Sequence, residues 1–284
     1  MNFLTISSLV LTIVLLMLVF SSNSSFDNIQ NLSKSLYNGT QLDGYRLADV
    51  IFYPDYLTSK HEYSTMDHLY KFPNTIGTRY IKQKYPFLQN INTKEDLDKH
   101  KLGYSHFEEY ILKNLTKQSI DIALLNKIIN ENKMNEVNEV QSNTLYLHVR
   151  VADVLCKYNG QDHSYIYSKI GNKVWWNKVM DYVISNKINK IIIIAGTHFK
   201  DCLEESANYL ENIKTIFNNH GIKVQFRVGY SPDEDLIFCK DAKHFITTGG
   251  GYGYFLGKII ELNGGKFALN EKDTVRKDRK LFEV

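Results

Sequence analysis

Phe245-Ile-Thr-Thr-Gly-Gly-Gly-Tyr-Gly-Tyr-Phe-Leu-Gly257 opens with an apolar pair, passes through two threonines into three consecutive glycines, and continues as an amphipathic run. The pattern predicts a buried strand, a tight turn and the start of a helix. Glycines without Cβ atoms let a ligand approach the backbone, and the N–H groups that open a helix then face it. That arrangement suits phosphate oxygens.

The residues on either side extend the same alternation. Leu145-Tyr-Leu-His-Val149 predicts a strand, Lys173 to Asn186 a helix, and Lys190-Ile-Ile-Ile-Ile-Ala195 a strand buried on both faces. Phe199 to Asn219 predicts a helix stopped by Gly221, and Lys223-Val-Gln-Phe-Arg-Val228 a third strand. Ser231-Pro-Asp-Glu234 opens a short helix, His244 to Thr247 is a fourth strand, Tyr252 to Leu262 a helix, and Lys266-Phe-Ala-Leu269 a last strand. Strands and helices alternating at these lengths predict an α/β fold with a doubly wound, Rossmann-like parallel sheet. Ligands of such sheets sit beyond the carboxyl ends of the strands. Four polar loops fall there: His148 to Asp153, Gly196-Thr197-His198, Gly229-Tyr230-Ser231, and Thr247 to Gly251.

Upstream, the chain divides by composition. Phe3 to Phe20 carries no charge and as a helix would be roughly 27 Å long, enough to span a bilayer. We expect residues 1–21 to be an uncleaved signal anchor; the alternative is a cleaved signal peptide with Ser21, Ser22 and Ser24 after the apolar core. Either places the remainder in the secretory pathway, as a lumenal, single-pass Golgi or endoplasmic-reticulum protein or as a secreted one. Asn23, Asn31, Asn38 and Asn114 head Asn-x-Ser/Thr acceptors for N-glycosylation, weak support for that location in a chain so rich in Asn. Residues 22–44 are polar and are expected to form a stem outside any core. Residues 45–143 are expected to form a smaller mixed α/β domain on the acceptor side, with a short strand at Asp49 to Tyr53 and one or two helices within Ser105 to Asn130. Residues 144–284 are expected to form a C-terminal domain that binds a sugar nucleotide.

The totals exclude several classes. With 34 Lys+Arg against 31 Asp+Glu, the net charge of +3 leaves no basic stripe for nucleic acid. Three cysteines are too few for a disulfide scaffold or a zinc site, and are expected to be buried free thiols. One bridge plus one free thiol is the alternative in an oxidising compartment.

Individual motifs narrow the chemistry. In an extended strand, His148 and Arg150 share a face. An arginine beside a Gly-rich turn can donate two hydrogen bonds to a phosphate; its bland role would be a pair with Asp153. Gly251-x-Gly253-x-x-Leu256 lacks the third glycine of the dinucleotide fingerprint, and no Gly-Lys-Ser/Thr makes it a P-loop. A nicotinamide oxidoreductase is therefore disfavoured, and Tyr165-x-x-x-Lys169 reads as chance. Asp233-Glu-Asp235 spells a metal-binding triplet. Ser231-Pro-Asp-Glu234, however, fits a helix capping box with Pro at the first helical position, so no metal is expected.

His148-Val-Arg150-Val-Ala-Asp153 resembles the His-x-Arg-x-x-Asp motif of the α1,2/α1,6 and protein O-fucosyltransferase superfamily. Ser231 to Asp235, Phe238 to Ile246 and Thr247 to Tyr252 resemble the second half of that family's pattern, so the likeness covers roughly Thr144 to Phe267. It implies a GT-B-like, inverting, metal-independent glycosyltransferase with no cofactor beyond its sugar-nucleotide substrate, and a glycan acceptor as partner. By resemblance, Arg150 contacts the β-phosphate of GDP-fucose and is the catalytic group. His148, Arg150, Asp153, Asp235, Thr247, Thr248, Gly249, Gly250, Gly251 and Tyr252 bind the donor, Asp235 at the base or ribose. Val151 stands where the family often has a second arginine, and no N-terminal Gly-x-Gly-Asn turn is evident. A xylosyl or other UDP-sugar donor, or a non-catalytic glycan- or nucleotide-binding protein of the same fold, are the alternatives.

Overall fold

The structure, a computed structural model, describes residues 28–37, 67–102, 120–131, 142–155, 173–197 and 200–269. The anchor at 1–21, the strand expected at 49–53 and residues 105–119 of the helical stretch expected within 105–130 lie outside these residues. No helix among the described residues is long and apolar enough to cross a membrane.

The elements are α1 (28–36), α2 (Asp67–Lys71), α3 (Ile76–Lys84), α4 (Lys94–Leu102), α5 (Ile122–Glu131), β1 (Thr144–His148), α6 (Lys173–Ser185), β2 (Lys190–Ala195), α7 (Leu203–Asn218), β3 (Lys223–Val228), α8 (Pro232–Cys239), β4 (His244–Thr247), α9 (Gly251–Leu262) and β5 (Lys266–Phe267). The five strands form one sheet in the order β3-β2-β1-β4-β5, and every pairing is parallel. The direction of winding reverses between β1 and β4, which makes that junction the topological switch point.

Alternation along the strands assigns the two faces. Leu145, Leu147, Ile191, Ile193 and Ile246 pack with α1, α6 and α7 on one side. Tyr146, Ile192, Ile194, Phe245 and Phe267 pack on the other with α8, α9 and helices from the 67–131 region. Ile76, Tyr80 and Ile81 of α3 and Leu125, Ile128 and Ile129 of α5 are in the same buried cluster as the sheet residues. The described helices of the expected acceptor-side region thus share a core with the parallel sheet.

Two expectations are corrected. Residues 28–37 are no stem: Leu32 and Leu36 are buried against the sheet, and Tyr37 makes a parallel bridge with Thr197. An apolar residue every fourth position on a polar background buries one narrow stripe, which a composition-based reading overlooks. The thiols also differ from one another. Cys239 is a buried free thiol, but Cys202 is disulfide-bonded. The sequence holds one further cysteine, Cys156, outside the described residues.

Candidate functional site

The carboxyl ends of β1, β2, β3 and β4 lie on one edge of the sheet because all four strands run the same way. At the switch point, the ladder between β1 and β4 continues past its ends. Thr248 N donates to His148 O (3.0 Å), and Arg150 N donates to Thr248 Oγ1 (2.8 Å). The segment carrying Arg150 is therefore tied to the glycine turn by its own backbone. On its other side Ala152, with φ +63°, donates its N–H to Ser206 Oγ of α7 (3.0 Å).

The turn itself needs its glycines. Gly249 and Gly250 have φ of +135° and +87°, values that a Cβ would strain. Gly250 occupies the N-cap of α9 without a side-chain cap, so the first N–H groups of the helix, from Gly251 onward, open toward this edge. A Cβ built on Gly250 would lie 3.6 Å from Arg150 Cδ, so the arginine side chain runs beside the turn. The half-buried arginine and a helix N-terminus thus lie side by side at this turn, and both favour an anion.

Most of the other expected donor-binding side chains support this point rather than face it. Thr247 Oγ1 donates to Gly249 O (3.2 Å) and accepts from Gly249 N (3.1 Å). The same hydroxyl is hydrogen-bonded to His148 Nδ1 (3.0 Å). His148 is buried, and burial first and the Arg150 charge second hold its pKa down to about 3, so the imidazole is neutral. Thr248, also buried, has its oxygen committed to Arg150 N. Tyr252 donates its hydroxyl to Pro232 O (2.6 Å), linking α9 to the start of α8, and its ring stands edge-on to His148. Burial pushes the Tyr252 phenol up, with Asp235 adding to the effect.

Asp235, expected at the ribose or base, is buried and accepts from Arg227 Nε of β3 (3.0 Å). Arg227 also donates to Glu234 O (3.2 Å) and lies between the rings of Tyr230 and Phe238, 3.7 and 3.9 Å from their centroids. Asp153 falls in a 3-10 turn, Ala152–Val154; its side chain, and the pair it was weighed for with Arg150, lie outside the described residues.

The capping box at Ser231 and Glu234 is present in both directions, 3.3 and 2.7 Å. Its neighbour Asp233 reaches further: its Oδ2 accepts from Ile76 N at the start of α3 (2.9 Å). Two helix N-termini meet this carboxylate and ought to favour its charge. Burial outweighs them and, with Glu234 nearby, pushes the pKa up from 3.8 to about 6. A proton held more tightly in the folded chain than in the unfolded one stabilises the fold at low pH. That contribution is complete below pH 3.8 and is lost as the pH rises through about 6. Asp233→Asn keeps an acceptor for Ile76 N and is expected to be about 1–2 kcal/mol more stable than wild type at pH 7.5. Thermal melts at pH 7.5 and pH 4 check this: a difference that does not shrink on acidification contradicts the assignment.

Sequence reasoning placed Tyr230 on this edge but gave it no role, and it missed Arg227, Ser206 and the close packing at Gly253. The one local signal was the polar face of β3, where Arg227 alternates with the apolar Val224, Phe226 and Val228 and shares its side with Lys223 and Gln225. Comparisons of the chain with protein-family models, with curated proteins and with solved structures return no match.

Proposed function

We propose that the chain is a glycosyltransferase that takes a sugar from a sugar nucleotide, GDP-fucose being favoured, and passes it to a glycan acceptor with inversion and without a metal. The observation that carries this reading is the convergence of Arg150 and the glycine turn at the β1/β4 switch point. Cleaving a sugar nucleotide leaves negative charge on the departing diphosphate. Donors fixed beforehand around that charge supply the largest share of such catalysis. The backbone of Arg150 is held by Thr248 and the turn by Thr247, so the segment and the turn are already placed before charge develops.

In this reading the parallel sheet is the donor-binding half of a GT-B-like enzyme, and residues 45–143 offer the acceptor surface. His148, Thr247, Thr248 and Asp235 serve it as supports; Arg150 and the Gly249 to Tyr252 backbone touch the donor. The segment Phe3 to Phe20 anchors the protein with its bulk in a lumen. The disulfide at Cys202 supports an oxidising compartment.

The test is a thermal-shift screen of the full-length protein against GDP- and UDP-sugars, paired with an assay of donor hydrolysis. A ligand present at 100 times its dissociation constant stabilises by about 2.7 kcal/mol, a shift of several degrees. Stabilisation by a sugar nucleotide with turnover is the expected result. Binding without turnover favours the non-catalytic alternative, and no shift with any sugar nucleotide overturns the proposal.

A further inference from the structure

Resting on the reading that this edge takes a nucleoside diphosphate, we infer that Tyr230 is the platform on which the nucleobase stacks. Tyr230 follows β3 on the same carboxyl edge as Arg150 and the glycine turn, and it is 41% exposed, unusual for a large aromatic side chain among the described residues. Its position is built. Gly229 has φ +75°, and a Cβ there would lie 2.0 Å from Ser35 O, so the chain entering Tyr230 is pinned against α1. The ring is backed by the Arg227 guanidinium at 3.7 Å. That guanidinium is oriented in turn by Asp235, by Glu234 O and by the Phe238 ring. A buried ion pair is a weak source of stability by itself. What this one secures is the plane of a cation against an exposed aromatic ring, and an aromatic ring held in place is what a base needs to stack on.

The spacing agrees. Neighbouring strands lie about 4.8 Å apart, so the end of β3 is about 10 Å from the end of β1 across β2. The base and the second phosphate of a nucleoside diphosphate are separated by a distance of that order. The strand between them ends in Gly196, which is exposed and has no side chain to block the crossing. A Cβ at Gly196 would meet nothing closer than 3.6 Å, so the absence of a side chain there is not forced by packing. From β4 to β3, the edge offers an anion site, a bare backbone and an aromatic face, the order of diphosphate, ribose and base.

Isothermal titration of the full-length protein with GDP, UDP and inorganic pyrophosphate tests the inference. Wild type is expected to bind all three, with the nucleotides tighter than pyrophosphate. Tyr230→Ala is expected to weaken GDP and UDP roughly 10- to 100-fold while leaving pyrophosphate unchanged. Tyr230→Phe, which keeps the ring and loses the hydroxyl, is expected to retain nucleotide affinity. Undiminished nucleotide binding by Tyr230→Ala overturns the stacking role and leaves the diphosphate site intact. An equal loss of pyrophosphate affinity also overturns it, marking Tyr230 as a structural prop. Failure of wild type to bind any of the three probes overturns the site reading and the stacking role together.

Discussion

Arg150→Ala is expected to lower the rate of sugar transfer, or of donor hydrolysis, by about 100- to 1,000-fold, the loss found when one fixed donor to a developing oxyanion is removed. The effect belongs in kcat as well as kcat/KM, because the diphosphate is more negative in the transition state than in the bound donor. The fold does not depend on this side chain to the same degree. The link between β1 and β4 runs through Arg150 N and Thr248 Oγ1, which alanine preserves. The variant is therefore expected to keep this junction and to fold. Arg150→Lys keeps the charge but loses the planar fork, and is expected to recover only part of the rate. Steady-state kinetics with the sugar nucleotide that stabilises the protein, alongside thermal melts, separate the two effects. Near wild-type transfer by Arg150→Ala would remove the residue from the mechanism.

Gly253→Ala is expected to have the largest effect on stability. In the middle of an isolated helix the change would be favourable by about 1 kcal/mol. Here the added Cβ would lie 2.2 Å from Thr247 Oγ1 and 2.4 Å from His148 Nδ1, distances no real Cβ contact shows. Neither neighbour can swing aside cheaply. His148 is buried and bonded to Thr247, and Thr247 is bonded to both polar groups of Gly249. Overpacking such a contact costs more than the helix gains, so a net loss of about 2–3 kcal/mol is expected by urea denaturation. Because α9 must move to accommodate the methyl, the N–H groups at its start are displaced from Arg150. Binding of pyrophosphate should weaken even at temperatures where the variant stays folded. A Gly253→Ala protein as stable as wild type would show that α9 does not pack on His148 and Thr247 as described.

Local patterning was enough to place much of the sheet domain. β2, β3 and β4 run over the residues their β-branched and apolar runs predict, Lys190–Ala195, Lys223–Val228 and His244–Thr247. The capping box at Ser231 was legible because all its parts lie within four residues. So was the presence of Arg150 and the glycine turn on one edge, which follows once every strand runs parallel. What the sequence could not determine depends on partners far along the chain. The strand order, which puts β4 beside β1 and so creates the crevice, is a choice among sheet topologies that periodicity does not encode. His148 and Thr247 meet across 99 positions, and Asp233 and Ile76 across 157. Asp235 looks like any acidic residue in the first turn of a helix, and even its pairing with Arg227, only eight residues away, depends on how α8 packs against β3. The short amphipathic α1 owes its place to a groove on the sheet rather than to its own propensity. Period and propensity are properties of neighbours in sequence, so the chain alone specified the elements and the edge at which polar groups gather. Which of those groups are consumed in holding the structure, and which are left to meet a ligand, is settled by desolvation and pairing between distant segments, and only the packed structure brings those segments together.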